Sequence, residues 1–411
     1  MLPSNNLLLA FVGAVLDPYV RDWLDLLLRW LHVIAAMVWI GTSFYFVALD
    51  SHLLPPRRRE DVDEGVGGEE WEIHGGGFYR VQKFQVAPPR LPEPLHWFKW
   101  EAYGTWISGF ALLVVLYYLD AETYLIDPSV ANLGEAEAVA ISAGSLLLAW
   151  VVYDALCRLL ARHELWLATA IAAFVAATAY GLSEVFSGRA VWLQTGAVLG
   201  TIMVANVFFV IIPAQRALIR AKEAGRNPNP RPGLEAKRRS VHNNYLTLPV
   251  VLAMLGNHFA FATGHERGWL ILVVLMAIGA WTRHFFNLRH QGRTVVAIPV
   301  TAGVAALVLA AVAEPDEPQL PRTETVTFAE VRTIVERRCT PCHSQDPSRE
   351  GFDAPPKGVA FDTAEQVVAQ AEAIERQAVD SRAMPLGNVT GMTEEERGAL
   401  AAWLRAGAPA R

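Results

Sequence analysis

The segment CTPCH sets two thiols, Cys339 and Cys342, two residues apart and directly before an imidazole, His343. C-x-x-C-H is the attachment spacing of a c-type haem: both sulfurs add to the vinyl groups, and the histidine reaches the iron from the same turn. A zinc site would need further Cys or His ligands, which the chain beyond residue 313 lacks, and no βαβ pattern surrounds the motif as a thioredoxin-like reading would require. The second axial ligand should then be a methionine. Met384 stands in SRAMPLGN, a Pro/Gly-bounded loop about 40 residues beyond the motif, where the chain could fold over the other haem face. Met392 directly precedes a helix opened by Thr393 and Glu396, so packing beneath that helix is its expected role. His/Met ligation raises an iron potential, which suits an electron relay.

The elements that must carry this motif are helical. TFAEVRTIVERR, with Thr327 as N-cap and Glu330 as its capping-box partner, predicts a helix running into Cys339. The whole chain is 53% hydrophobic and only 18% charged, below the ~25% usual for soluble domains. Eight stretches are long and apolar enough to suggest spans: 23–49, 100–119, 138–160, 165–186, 191–213, 244–264, 268–287 and 295–313. A shorter run, 7–16, reads as an interfacial helix. The expected fold is all-α: a polytopic transmembrane bundle of about eight spans (1–313), a linker (314–324) and a small class I-like cytochrome c domain (325–411). Nucleic-acid binding is not expected from this composition; lipid is the expected surroundings.

Charge orients the bundle. The loop 120–137 holds five acids and no Lys or Arg, whereas 214–243 holds eight bases and two acids. Because cytoplasmic loops collect Lys and Arg, both termini and the CTPCH domain are expected outside, in a bacterium on the periplasmic side of the inner membrane.

Within the spans, His32 and His258 are ionisable and therefore candidate functional groups. Either they hold a haem b or line a pocket, or they are satisfied by backbone carbonyls. At the cytoplasmic side, the aromatic-rich half of the first loop, with alternation through 78–86, suggests a short strand pair. His74, Arg80, Gln82 and Lys83 there, with Trp97 or Trp100 to stack, could hold a flat anionic heterocycle; an interfacial aromatic belt with ordinary surface charges is the plainer account. Asn243, Asn244, Arg283 and Glu101 would extend such a polar mouth.

RWLHVIAAMVWIGTSFYFV and HGGGFYRVQKF…LHWFKWEAYGTW, followed by one CTPCH domain with MPLGNVTGMTEEER, resemble the bacterial membrane-bound cytochrome c urate oxidases, or urate hydroxylases. The resemblance covers nearly the whole chain and rests on the N-terminal stretches, since CTPCH alone is widespread. It implies oxidation of urate to 5-hydroxyisourate, with electrons leaving through haem c to a downstream cytochrome c or terminal oxidase instead of forming hydrogen peroxide. Cys339, Cys342, His343 and Met384 match the family's haem pattern. His74 with Lys83, and Glu101, are the candidate catalytic groups; Arg80, Gln82, Trp97 and Asn243 are the candidate urate contacts. The acidic insertion 55–70 matches nothing in the resemblance. A quinol-oxidising cytochrome subunit and a permease with a fused redox-responsive cytochrome are the rival functions.

Overall fold

The computed structural model describes residues 17–314, 326–349 and 351–410. The expected interfacial helix at 7–16 and most of the linker lie outside the described residues.

Helix α1, Pro18–His52, starts where Asp17 accepts from the Val20 amide and Pro18 occupies the first turn. It packs along α2, Trp100–Leu113, which continues through a π-helical turn, Val114–Tyr118. Then follow α3, Glu135–Leu159, α4, Glu164–Ser183, and α5, Gly188–Ala205, which passes through a second π-helical turn, Asn206–Ile211, into Ile212–Glu223. Helices α6, Arg231–Leu255, α7, Gly268–His290, and α8, Ala297–Val312, complete the bundle.

Five of these helices are long and apolar enough to cross a membrane, and Ala297–Val312 is a shorter apolar helix. Their outward faces keep large apolar side chains exposed, such as Leu147 at 73%, Leu165 at 80% and Leu307 at 73%. Water would penalise such a surface, and lipid would not. The sixth expected span needs correction: α6 begins at Arg231 and stops at Leu255, not Gly264. Its backbone breaks where Gly256 presses on Trp192, with room too small for a Cβ, and the chain turns through Gly256–His258 and Ala260–Thr263.

The expected strand pair exists but is longer. Strand β1, Val66–His74, pairs antiparallel with β2, Gly77–Phe84, so the acidic insertion supplies part of the hairpin.

Beyond the bundle, α9, Phe328–Arg338, and α10, Glu394–Arg405, each open with the expected Thr/Glu capping box. They enclose an apolar cluster that includes Val331, Val335, Met392, Leu400 and Trp403. This small domain seats on the end of the bundle that carries the 120–137 loop. Arg349 pairs with Glu122 at 3.1 Å across the junction. A Cβ on Gly387, whose φ is +58°, would stand 2.6 Å from the Thr123 carbonyl, and one on Gly264 would overlap the Ser381 carbonyl. The two backbones meet where side chains do not fit.

Gly387→Val should therefore loosen the seating. A short bis-maleimide bridging Glu122→Cys and Arg349→Cys should cross-link efficiently with Gly387 present and several-fold less with the valine, read by mass shift after cleavage in the linker.

Candidate functional site

The helix α9 delivers CTPCH at its C-terminal end. Backbone bonds from Cys342 N (3.2 Å) and His343 N (2.8 Å) to the Cys339 carbonyl keep the two thiols and the imidazole on one tight turn. The His343 Nδ1–H donates to the Val359 carbonyl at 2.9 Å, which fixes the tautomer and leaves Nε2 with a free lone pair. Neither cysteine is in a disulfide, and burial pushes the Cys339 thiol up to about 12. Among the described residues, no cluster of three or more His, Cys, Asp or Glu is placed to hold a metal ion.

Met384 packs, like Cys339, against the apolar cluster of the small domain. Its loop is pinned by Arg397, 5% exposed, which donates to the carbonyls of Ala378 and Met384, the latter at 2.8 Å. Met392 is 4% exposed in the core beneath α10, with its amide held by Asn388 at 2.9 Å. Two thiols on one turn, an imidazole with its outer nitrogen free and a thioether in a pinned loop fit a covalently attached haem.

Between the small domain and the bundle lies a cavity of about 660 Å³. Met384 and Arg397 form part of its wall from the small domain; Tyr124, Arg189, Asn257 and Trp269 face it from the bundle. Arg189 Nε donates to Asn257 Oδ1 at 3.0 Å, and Asn257 Nδ2 donates to the Tyr117 hydroxyl at 2.9 Å. The Arg189 guanidinium also lies 5.5 Å from the Tyr124 ring centroid.

The sequence-expected cytoplasmic residues do not converge. In the hairpin register, Lys83 faces Gly68 while His74 faces Gly77 at the tip, so six residues separate the two levels, about 20 Å along the strand. His74 and Lys83 therefore do not act as a pair on one small ligand. Lys83 pairs with Asp50, and Arg80 with both Glu69 and Asp61, leaving neither as a free anion clamp. Gln82 lies beside Asp61, whose carboxylate it and Arg80 hold in the charged form, and Glu101, in the first turn of α2, keeps a buried Oε2 without a partner. Trp97 packs beside Ala102 and Val207, with the Lys99 ammonium 5.3 Å above its ring.

Asn243 is fully engaged: Oδ1 accepts from Asn206 at 2.8 Å and Nδ2 donates to the Met203 carbonyl at 2.9 Å. Its neighbour Asn244 points into another cluster, where Oδ1 accepts from Arg283 Nε at 2.9 Å and Asn287 Nδ2 at 3.0 Å. Consecutive helical residues face about 100° apart, so one mouth becomes two clusters.

His32 and His258 are also not a pair. The Nδ1 of His32 is 2.9 Å from the Thr105 carbonyl, with Gly109 packed against its ring. Arg21 pairs with Asp120, so α1 begins at the end of the bundle where the small domain sits, and His32 lies about 20 Å down it. His258 is exposed in the turn past α6, at that same end. A haem b spanning both histidines does not fit this difference in depth.

Sequence reasoning missed Arg189 and Asn257. The available signal was a basic residue at the head of an apolar run, on the end of the bundle whose 120–137 loop has no Lys or Arg.

A family model described as "Urate oxidase N-terminal" matches residues 18–314, which is the whole bundle. Neither the comparison with curated proteins nor that with solved structures gave a match.

With a haem on Cys339 and Cys342, Met384→Ala should lower its potential and shift its spectrum while the small domain stays folded. Met392→Ala should leave the spectrum near that of the parent but cost about 2–5 kcal/mol in denaturant unfolding, as core Met-to-Ala changes do. Redox titration and unfolding curves on the same two proteins check both.

Proposed function

The chain belongs to the urate oxidase N-terminal family, and on that premise we propose that it is a membrane-bound oxidoreductase converting urate to 5-hydroxyisourate, with electrons leaving through haem c. The bundle is the substrate-handling part, and the small domain is the electron outlet. The observation that carries the reading is the seating of the Met384 loop directly on the family-matched bundle, backbone against backbone at Gly387 and Gly264. The proposal includes eight spans, read from the apolar stretches, and, from the charge distribution, both termini and the small domain on the periplasmic side of a bacterial inner membrane.

Conversion of urate to 5-hydroxyisourate adds one water oxygen at C5 and releases two electrons and two protons. Cys339 and Cys342 would tether the haem, and His343 and Met384 would hold its iron. When bound, the haem supplies a one-electron acceptor, so each turnover requires two transfers and reoxidation by a downstream cytochrome c or terminal oxidase. The Val359 carbonyl holds the His343 ring in its ligating tautomer, and Arg397 holds the Met384 loop by its backbone. No step gives electrons to oxygen, so hydrogen peroxide is not a product.

A second reading, quinol oxidation, is favoured by one feature. A second pocket of about 1010 Å³ is lined largely by apolar side chains of α4, α6 and α7, with Arg231, Lys237 and Arg238 beside Glu164 and Glu235 among its charged groups. An isoprenoid tail would suit its walls.

Anaerobic addition of urate to the purified, oxidised protein separates the two. The urate reading expects the reduced c-type band, two haem equivalents per urate when urate is limiting, and no hydrogen peroxide when air is admitted. An unchanged spectrum in protein that dithionite still reduces would reject urate as donor, and reduction by a short-chain quinol alone would support the second reading.

A further inference from the structure

The junction cavity has the properties of a substrate site for a flat anion. Its volume, about 660 Å³, lies within the range of small-molecule sites and exceeds what a bicyclic purine needs. CTPCH stands outside its lining while Met384 stands within it, so the space is distinct from the turn that carries the two thiols.

The charges facing the cavity are already sorted. Asp127 is committed to the Ser129 amide and hydroxyl, at 2.9 and 2.6 Å, and Glu394 to Arg382 at 2.9 Å and Arg397 at 3.8 Å. Glu266 is exposed and His265 accepts from the Arg267 amide. Arg189 has no carboxylate partner among the described residues, and its Nε bond to Asn257 orients the guanidinium plane. Its Nη1 and Nη2 therefore remain as a fork of donors, the geometry that grips a planar anion through two parallel hydrogen bonds. Asn257 cannot turn away, because its own amide nitrogen is held by Tyr117. Tyr124 and Trp269 add aromatic surface to the wall.

We propose that the urate anion binds in this cavity, its anionic edge on the Nη atoms of Arg189, beside the Met384 loop; the assignment rests on the urate-oxidising function proposed above. Arg189 is then a binding residue, Asn257 and Tyr117 position it, and urate is taken up at the end of the bundle on which the small domain sits. Substrate and electron acceptor become neighbours, with no transfer across the membrane thickness.

The test uses the full-length, haem-loaded protein. Arg189→Gln should raise KM for urate about 30-fold or more, as loss of a charged hydrogen-bonding pair implies, and Arg189→Lys should recover part of it. Both should keep the parent haem spectrum and rate of reduction by dithionite. As an independent readout, Ser129→Cys, at the cavity wall, should react with a maleimide more slowly when urate is present under anaerobic conditions. Unchanged KM in Arg189→Gln together with unprotected Ser129→Cys would overturn the assignment, as would a loss of maximal rate at constant KM accompanied by slower dithionite reduction, the mark of a purely structural role. If urate fails to reduce even the parent protein, it is the proposed function that falls; if it reduces the parent and the Arg189 variants alike, only this site does.

Discussion

The contact on which the arrangement depends is made of backbone. Gly264 lies against the Ser381 carbonyl and Gly387 against those of Thr123 and Ile126, all at spacings that admit no Cβ. Such a seat is selective in a way that an apolar patch is not, because adding a single methyl group forces the surfaces apart. It also fixes the loop that carries Met384, only three residues from Gly387 in sequence, so the placement of that side chain is tied to the bundle surface. The salt bridge between Arg349 and Glu122, with Glu122 well exposed, adds orientation more than energy.

The other half of the bundle is organised by buried charge. Arg239, 2% exposed, reaches Asp154 at 2.6 Å and Asn206 at 3.3 Å, and Asn206 in turn contacts Tyr153 and Asn243. Removing one member would strand a charge away from water, which costs several kcal/mol, whereas the intact pair adds little net stability. Its value is in register. Asn206 sits where α5 passes into a π-helical turn, and that turn presents the amide to α6. The layer thus locks three helices at one level and leaves the opposite end free for the small domain.

Much of this was legible in the sequence, for identifiable reasons. Apolar runs and a one-sided distribution of Lys and Arg are long-range compositional signals, and they marked the helical stretches and the end of the bundle near the small domain. Capping boxes at Thr327 and Thr393 are local signals and marked α9 and α10. The stop of α6 was missed because Gly256 and Asn257 lie in an apolar run, and what ends the helix is a tertiary contact with Trp192. The pairing of His74 with Lys83 failed for a similar reason: both are polar residues of one loop, but strand register sends them to different rungs. Site residues on separate elements, such as Arg189 and Asn257, have no common sequence pattern at all.

Two arginines show why an uncompensated cation is not enough to mark a site. Arg283 is 4% exposed, stacks 3.9 Å over the Phe44 ring and keeps Nη2 without a partner, beside the unpartnered Nδ2 of Asn244 and Oδ1 of Asn287. These atoms would suit a planar anion by type. They are closed off, however, so a ligand would have to displace packed side chains, and Arg283 lies about 22 Å along α7 from the end of the bundle that meets the small domain. An electron leaving that depth would need an intermediate carrier, and the placement of His32 and His258 provides no bridge between helices. Arg189 meets the opposite conditions: its guanidinium is oriented through Nε, and it lines an open volume that Met384 also lines. Access and proximity to the acceptor, more than donor type, separate the two, because oxidation requires both a place for the substrate and a short path for what it loses.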